Sequence, residues 1–397
     1  MASSPAFSTL ERIAAAGKSY AGGKAGSREA LIDLSLQLVA ELEIPSEYVQ
    51  RTMWAEPARS AHCRLAVDRN IFQHTKDAGE IGITAEALAE KTGIEVGLLN
   101  RVMRHLAAMH MISIEDGKFH ATALSNGLAE DNYQRSIEFC YDVSRPSFNS
   151  MPEYWKQTGY KQPTSLTDGP FQAAHKTKLP FFDWLVATPP HLAEFDSFMS
   201  AYRAGKPNWY DPSFYPVASR LIDGFDPTTS DALLVDIGGG RGHDLAQFAA
   251  QYPNHPGKLI LQDRAPVIAS IEPTTTTPFS PTTHDFFTPQ PIKHARAYSL
   301  HSILHDWGDS DAIRILENLK PALKRGYSRV LFNEIVLSEE KPRLAETAMD
   351  MMMLAHFAVR ERTEGEWRGI LGRAGLRVIG IYALAGVAES LIEAELE

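Results

Sequence analysis

The chain has 397 residues, 44% hydrophobic and 22% charged, with a formal net charge of −10 at pH 7. That length accommodates two domains of an ordinary globular protein, and the acidic balance argues against general polyanion binding. Cys63 and Cys140 have neither metal-ligand spacing nor a disulfide framework, so no metal is expected and a reducing compartment, the cytoplasm, is. The first twenty residues lack a basic start followed by an apolar core, and no apolar run approaches the roughly 18 residues of a membrane span, so neither a secretory signal nor a membrane partner is expected.

Residues 1 to about 28 are rich in Ala, Ser and Gly and read as a loosely held arm. From Arg28 on, Leu31, Ile32, Leu34, Leu36, Leu38 and Val39 make a helix that is apolar around much of its circumference and needs cover on more than one side. A second helix is expected over about Ala61 to Gln73. Between Ile83 and Thr122, Thr84 caps a helix carrying Leu88, Gly93 makes a turn, Leu98 to Met109 forms another helix, and Ile112 to Phe119 forms a hairpin turning at Asp116-Gly117. This is a winged-helix pattern, a unit that can place a recognition helix in a DNA groove. Glu86, Glu90, Glu95, Glu115 and Asp116 stand against Lys91, Arg101, Arg104 and Lys118, so the unit is not basic and no nucleic-acid partner is expected.

Residues 126 to 215 are helical stretches broken by prolines and crowded with Phe139, Tyr141, Phe148, Met151, Tyr154, Trp155, Phe181, Phe182, Trp184, Phe198 and Met199. Such residues either line a pocket for a flat apolar molecule or form core. The expected organisation is a helical domain over 1–125, a helical linker lining a substrate pocket over 126–215, and a domain of alternating strands and helices over 216–397. Thr274 to Thr277, flanked by prolines, reads as a surface loop.

The third region is organised around LLVDIGGGRGHD, Leu233 to Asp244: an apolar strand ending in Asp236, a turn through Gly238, Gly239, Gly240 and Gly242, then a helix. Bare backbone there lets a ligand lie against the loop. The spacing fits G-x-G-x-x-G poorly, because the third position falls on His243 or Leu245. An acid at Asp236 suits the ammonium of S-adenosylmethionine (SAM) better than a pyrophosphate. The next strand, Lys258 to Gln262, ends in Asp263, whose carboxylate can accept both ribose hydroxyls. A helix is expected around Pro266 to Ile271. In His284-Asp285-Phe286-Phe287 a carboxylate beside aromatic rings suits adenine. Ala297 to Trp307 reads as a strand ending in polar residues, Arg329 to Glu334 as a strand ending in an acid, and Thr363 with Glu366 as a capping box.

Taken together, AHCRLAV at Ala61 to Val67, the winged helix, DIGGG, HDFF, LHDW, NEIV and ERTEGEW resemble the SAM-dependent O-methyltransferases of plant phenolic and fungal polyketide metabolism, the caffeic acid O-methyltransferase-like group. The resemblance spans nearly the whole chain. It implies an α/β fold: a C-terminal Rossmann-like SAM-binding domain with a mainly helical N-terminal winged-helix dimerisation domain. It also implies a homodimer and an aromatic small-molecule substrate. By position, His305 matches the family's general base, and Glu334 and Glu361 the acids that hold and orient the imidazole. Asp236, Gly238, Gly239, Gly240, Asp263, Asp285, Phe286 and His301 fall on the cofactor side, with Trp307 beside the adenine. His301 stands where Arg or Lys is usual; a neutral imidazole contributes less charge, so weaker SAM binding is expected.

The residue types agree with that chemistry. A sulfonium methyl is already electrophilic, so the protein has to align an oxygen and remove its proton. A phenol of pKa roughly 10 and a histidine of roughly 6.5 make ground-state transfer uphill, and a carboxylate partner raises histidine basicity. Met349, Met351, Met352 and Met353, between the two glutamates, either face the substrate or pack. Two other readings stand beside methyl transfer: a SAM-binding pericyclase or dehydratase that keeps its methyl, and a winged-helix regulator that senses SAM.

Overall fold

The computed structural model describes residues 5–271 and 277–397, so the expected loop at Thr274 to Thr277 lies, apart from Thr277, outside the described residues. The chain divides into two compact units, one of residues up to 19, 31–161 and 166–205, the other of residues 20–30, 162–165 and 206–397.

The first unit is helical. The N-terminal segment expected to be a loose arm is instead the helix Pro5–Ala21, with Ala6 and Thr9 buried; its alanines favour helix, and Thr9 donates to Glu41 across to helix Ser27–Leu42. On that second helix Leu34 is buried, while Ile32, Leu36 and Val39 are exposed at 46%, 48% and 40%. The helix expected over Ala61 to Gln73 is two helices, Glu56–Asp68 and Ile71–Asp77, broken where Asn70 takes a left-handed conformation (φ 53°). Thr84 caps helix Ala85–Thr92 by accepting from the Ala87 N–H, and Gly93 ends it at φ 70°. Helix Val96–Ala108 follows, then strands β1 (Ile112–Glu115) and β2 (Lys118–Ala121), joined through Asp116 and Gly117, both at positive φ. Leu88, Leu99, Met103, Leu106, Ile112 and Phe119 close one core over these elements. Farther along, Phe139, Phe171 and Phe181 are fully buried and packed edge-on against one another and Phe195, which makes them core.

The second unit is built on an eight-stranded sheet of β3 (Ala232–Ile237), β4 (Lys258–Asp263), β5 (Ser280–Thr283), β6 (Ala297–His301), β7 (Arg329–Leu337), β8 (Arg362–Thr363), β9 (Leu376–Ala383) and β10 (Glu389–Leu396). The order is β5-β4-β3-β6-β7-β10-β9, with β8 beside β7; the strands are parallel through β7, and β10 is antiparallel to both neighbours. β3 is buried along its whole length, as a central strand covered on both faces must be. One face packs against helices Asp309–Leu319 and Glu364–Arg373, the other against Trp209, Tyr215 and helix His243–Gln251. From β3 the chain moves outward to β4 and β5 on one side, then crosses back to β6 on the other side of β3. The crevice at the carboxyl ends of β3 and β6 is therefore the topological switch point, where open α/β sheets bind ligands.

Candidate active site

The glycine turn sits at that switch point. Gly238 (φ 74°) and Gly240 (φ 59°) have left-handed backbones, and a Cβ on Gly238 would come within 2.6 Å of Ile303 Cδ1. Nothing lies within 4 Å of where a Cβ on Gly240 would be, so this peptide faces open space. Asp263 braces the turn: Oδ2 accepts from the Gly240 N–H at 2.9 Å and Oδ1 from the Arg264 N–H at 2.7 Å, leaving a lone pair on each oxygen for a diol. Beyond β5, Asp285 is exposed and accepts from the Phe287 N–H, and Phe286 and Phe287 stand edge-on to Trp307 with centroids 5.9 and 4.7 Å away. An apolar shelf beside a carboxylate, a bare-backbone turn and a diol acceptor together fit an adenosyl group.

Asp236 is placed differently from the expectation. It is 3% exposed, receives the Ser299 hydroxyl at 2.8 Å, and lies under Gly239, whose Cβ position would overlap its carboxylate. Burial, with the charges of Asp244 and Asp263, pushes it up to about 7. It lies directly beneath the loop. The more accessible acid is Asp244, in the first turn of helix His243–Gln251, whose Oδ2 lies 2.6 Å from His301 Nδ1.

The strand expected to run to Trp307 ends at His301, because Ser302 takes φ 52° and turns the chain into a single 3₁₀ turn, Leu304–Asp306. That turn carries His305. Its Nδ1 lies 2.8 Å from Glu361 Oε1, and its Nε2 is 3.5 Å from Asp306 Oδ1. Glu334 does not hydrogen-bond the imidazole: Oε1 accepts from the Ile303 and Leu304 N–H groups at 3.0 and 2.8 Å, which fixes the turn holding the ring. A ring nitrogen of His305 and a carboxylate oxygen from each of Glu334 and Glu361 all lie within 4.8 Å of one another, and Glu334 Oε2 and Glu361 Oε2 are buried without a hydrogen-bond partner among the described residues. Asp350, on helix Leu344–Phe357, accepts the Glu361 N–H at 2.8 Å.

These contacts set the protonation. Burial disfavours a charged imidazole, but Glu361, Asp306 and Glu334 outweigh it and raise His305 to about 10. Burial raises Glu334 to about 7 against the pull of His305 and the two N–H donors, and raises Asp306 to about 6. Three acids and one base inside so small a volume titrate as a unit. Asp306, Asp350, Asp244 and Arg362 were not singled out from the sequence. Asp306 and Arg362 sit inside the LHDW and ERTEGEW strings; Asp306 meets its chain neighbour His305, whereas what Arg362 touches is decided by chain segments far away.

Residues 216–377 match the family model described as the O-methyltransferase domain. The chain is 58% identical over 396 residues to O-methyltransferase mpaG' of Penicillium brevicompactum, covering 100% of this chain and 99% of that one. It is 35% identical to O-methyltransferase mfmE of Annulohypoxylon moriforme, covering 94% of this chain and 91% of the relative. Among solved structures it is similar to LepI in complex with SAM, at TM-score 0.88 and 28% identity over 98% of this chain and 99% of that one. A structure described as a pericyclic reaction enzyme is similar at the same TM-score, 0.88, and the same identity, 28%, over 98% of this chain and 100% of that one.

Proposed function

We propose that this chain, which belongs to the SAM-dependent O-methyltransferase family, methylates a hydroxyl of an aromatic secondary metabolite with His305 as the general base. The observation that carries the assignment of the base is the hydrogen bond from His305 Nδ1 to Glu361, which commits one ring nitrogen and leaves Nε2 to take a proton. SAM supplies an electrophilic methyl group. Gly238, Gly239, Gly240, Asp263, Asp285, Phe286, His301 and Trp307 hold it, and Asp236 keeps the glycine turn in shape from below. Bound there, SAM would give up its methyl from sulfur to the acceptor oxygen and leave as S-adenosylhomocysteine; His305 Nε2 takes the proton of the acceptor O–H, and Glu361 accepts the hydrogen bond from Nδ1–H of the resulting imidazolium.

The electrostatics change the energetics expected from residue types. With the imidazole raised to about 10, proton transfer from a phenol of pKa roughly 10 is close to thermoneutral. The active complex then holds one proton shared between oxygen and Nε2. A second proton, present at low pH, blocks the reaction.

Homodimerisation through the winged-helix unit and the helix Ser27–Leu42 fits the exposure of Ile32, Leu36 and Val39, and sedimentation at working concentration tests it. A reducing, cytoplasmic setting fits Cys63 and Cys140 being free, with both thiols pushed up to about 11 by burial. No helix among the described residues is long and apolar enough to cross a membrane.

Mass spectrometry of phenols and hydroxypyridones incubated with SAM and either wild type or His305→Ala tests the reading. One methyl mass should be gained with wild type and lost in the variant while SAM still binds. Isomerised or dehydrated products that need SAM but gain no methyl would favour ring chemistry instead. That second reading has a 28% identical pericyclic enzyme in its favour, against relatives at 58% named as O-methyltransferases.

A further inference from the structure

Arg362 follows Glu361 directly, and its side chain is only 2% exposed. Its guanidinium bridges the turn that carries the base: Nη1 donates to the Leu304 carbonyl at 2.8 Å and Nη2 to the Trp307 carbonyl at 2.7 Å, while Nε donates to Asp309 Oδ1 at 3.0 Å. Leu304 and Trp307 bracket His305. The same planar group lies over the Trp367 ring, 5.2 Å from its centroid, and Arg362 pairs in register with Val336 of β7, two residues past Glu334. The turn's own hydrogen bonds are two long ones of 3.3 Å, from the Asp306 N–H to the Ile303 carbonyl and from the Trp307 N–H to the Leu304 carbonyl, and Glu334 holds only its leading edge, through the Ile303 and Leu304 N–H groups. Trp307, whose carbonyl Arg362 holds, also carries the ring that meets Phe286 and Phe287.

We propose that Arg362 is a positioning residue that locks the catalytic turn and the adenine shelf into one rigid piece, so that the base and the cofactor keep a fixed register. Glu361 grips the imidazole while its neighbour grips the peptide on either side. A lysine supplies the same charge but a single point donor, so it cannot hold both carbonyls and Asp309 with the fixed fork of a guanidinium. The inference rests on His305 being the base.

The test compares Arg362→Lys with wild type and His305→Ala in three readouts: kcat with its pH profile, affinity for S-adenosylhomocysteine by calorimetry, and the thermal melt. Displacing a reacting group by about 1 Å costs roughly 10²-fold, so kcat of Arg362→Lys should fall about 10- to 100-fold. Affinity for S-adenosylhomocysteine should weaken in parallel, because Trp307 loosens with the turn. The groups facing His305 are Glu361, Asp306 and Glu334, with Asp350 holding Glu361. Loosening the Glu361 contact moves the rising limb of the kcat profile to lower pH, a shift that cannot come from lost charge because lysine keeps it. A folded Arg362→Lys with wild-type kcat, limb and affinity overturns the proposal. Should that variant fail to melt cooperatively, Asp309→Ala, which removes the Nε acceptor together with the outer pairs to Arg360 and Arg373 and leaves both carbonyl contacts, must move kcat and affinity together by smaller factors, and no coupled movement overturns the proposal. If His305→Ala keeps its turnover, it is the assignment of the base that fails; if it is inactive while Arg362→Lys behaves as wild type, only the present inference does.

Discussion

Two histidines four residues apart each set Nδ1 against a carboxylate, His305 against Glu361 at 2.8 Å and His301 against Asp244 at 2.6 Å. The couples are chemically alike and differ in surroundings. The His305 and Glu361 side chains are 9% and 0% exposed, whereas His301 and Asp244 are 17% and 26% exposed at the mouth of the glycine turn. Asp306 and Glu334 add their charge to the first couple, and with little solvent to screen them the imidazole rises to about 10. The outer couple is the more open to solvent. Burial and a surplus of acid raise the basicity of His305, which the proposed function uses, whereas the proposal gives the more open His301 to the cofactor.

The largest effect that could break this contrast is removal of the base. His305→Ala should lower kcat by about 10²- to 10⁴-fold, the range of general-base help, with S-adenosylhomocysteine affinity within a few-fold of wild type by calorimetry. Equal loss of binding and turnover would mean that His305 serves the cofactor and not the proton. Glu361→Gln keeps the shape and removes one anion, so the imidazole loses both its charge partner and its tautomer lock; a kcat loss of about 10²-fold and a lower rising limb are expected.

The pH response sharpens the same point, because stability and activity should run in opposite directions. His305 has a higher pKa folded than unfolded, so its stabilising contribution is fully present below roughly 6.5, its ordinary value, and is lost as pH rises through about 10. Catalysis needs the proton gone, so kcat/KM should climb from pH 7 toward 10 while the melting temperature contributed by this cluster declines. A flat kcat/KM profile across that range would show that the acids do not hold the imidazole charged.

Glu334 separates geometry from charge. In Glu334→Gln the amide carbonyl still accepts from the Ile303 and Leu304 N–H groups; only charge is lost, so the His305 pKa falls and the rising limb of the kcat profile moves to lower pH with the melt little changed. Glu334→Ala also leaves two buried donors unpaired, at about 1–3 kcal/mol each, and should lower the denaturation midpoint measurably. Equal melts for the two variants would mean that the turn does not depend on this carboxylate.

What the sequence made legible followed local rules. Thr84 and Gly93 at the helix ends, Asp116-Gly117 in the hairpin, and Thr363 with Glu366 as a capping box are short-range chemistry and occur where expected. The alternation of strand and helix gave the class of the second unit, and the motif strings gave its ligand. Missed features depend on distant partners or a single dihedral angle. Ser302 at positive φ ends β6 early, Asn70 at positive φ splits one expected helix, and Pro5–Ala21 is helical where small residues suggested an arm. That Asp236 lies under the loop, bonded to Ser299, is another contact between residues far apart in the chain. Arg362 carried no signal of its own, since its three acceptors lie more than fifty residues upstream.

The smallest effect concerns the rim. His301→Lys puts a permanent cation where the family usually has one, while keeping a donor within reach of Asp244. If Asp244 does not absorb the added charge, affinity for S-adenosylhomocysteine should tighten several-fold, about 1 kcal/mol, with kcat at saturating cofactor changed less than about twofold. Because this couple is partly solvated, the gain should shrink as salt is raised from about 10 mM to 1 M, where the screening length falls from about 30 to 3 Å. The rising limb set by His305 should move far less over the same salt range, since its partners are buried with it. A salt-insensitive gain, or a limb that moves as much as the affinity does, would mean that the two couples share one electrostatic environment and that burial is not what divides their roles.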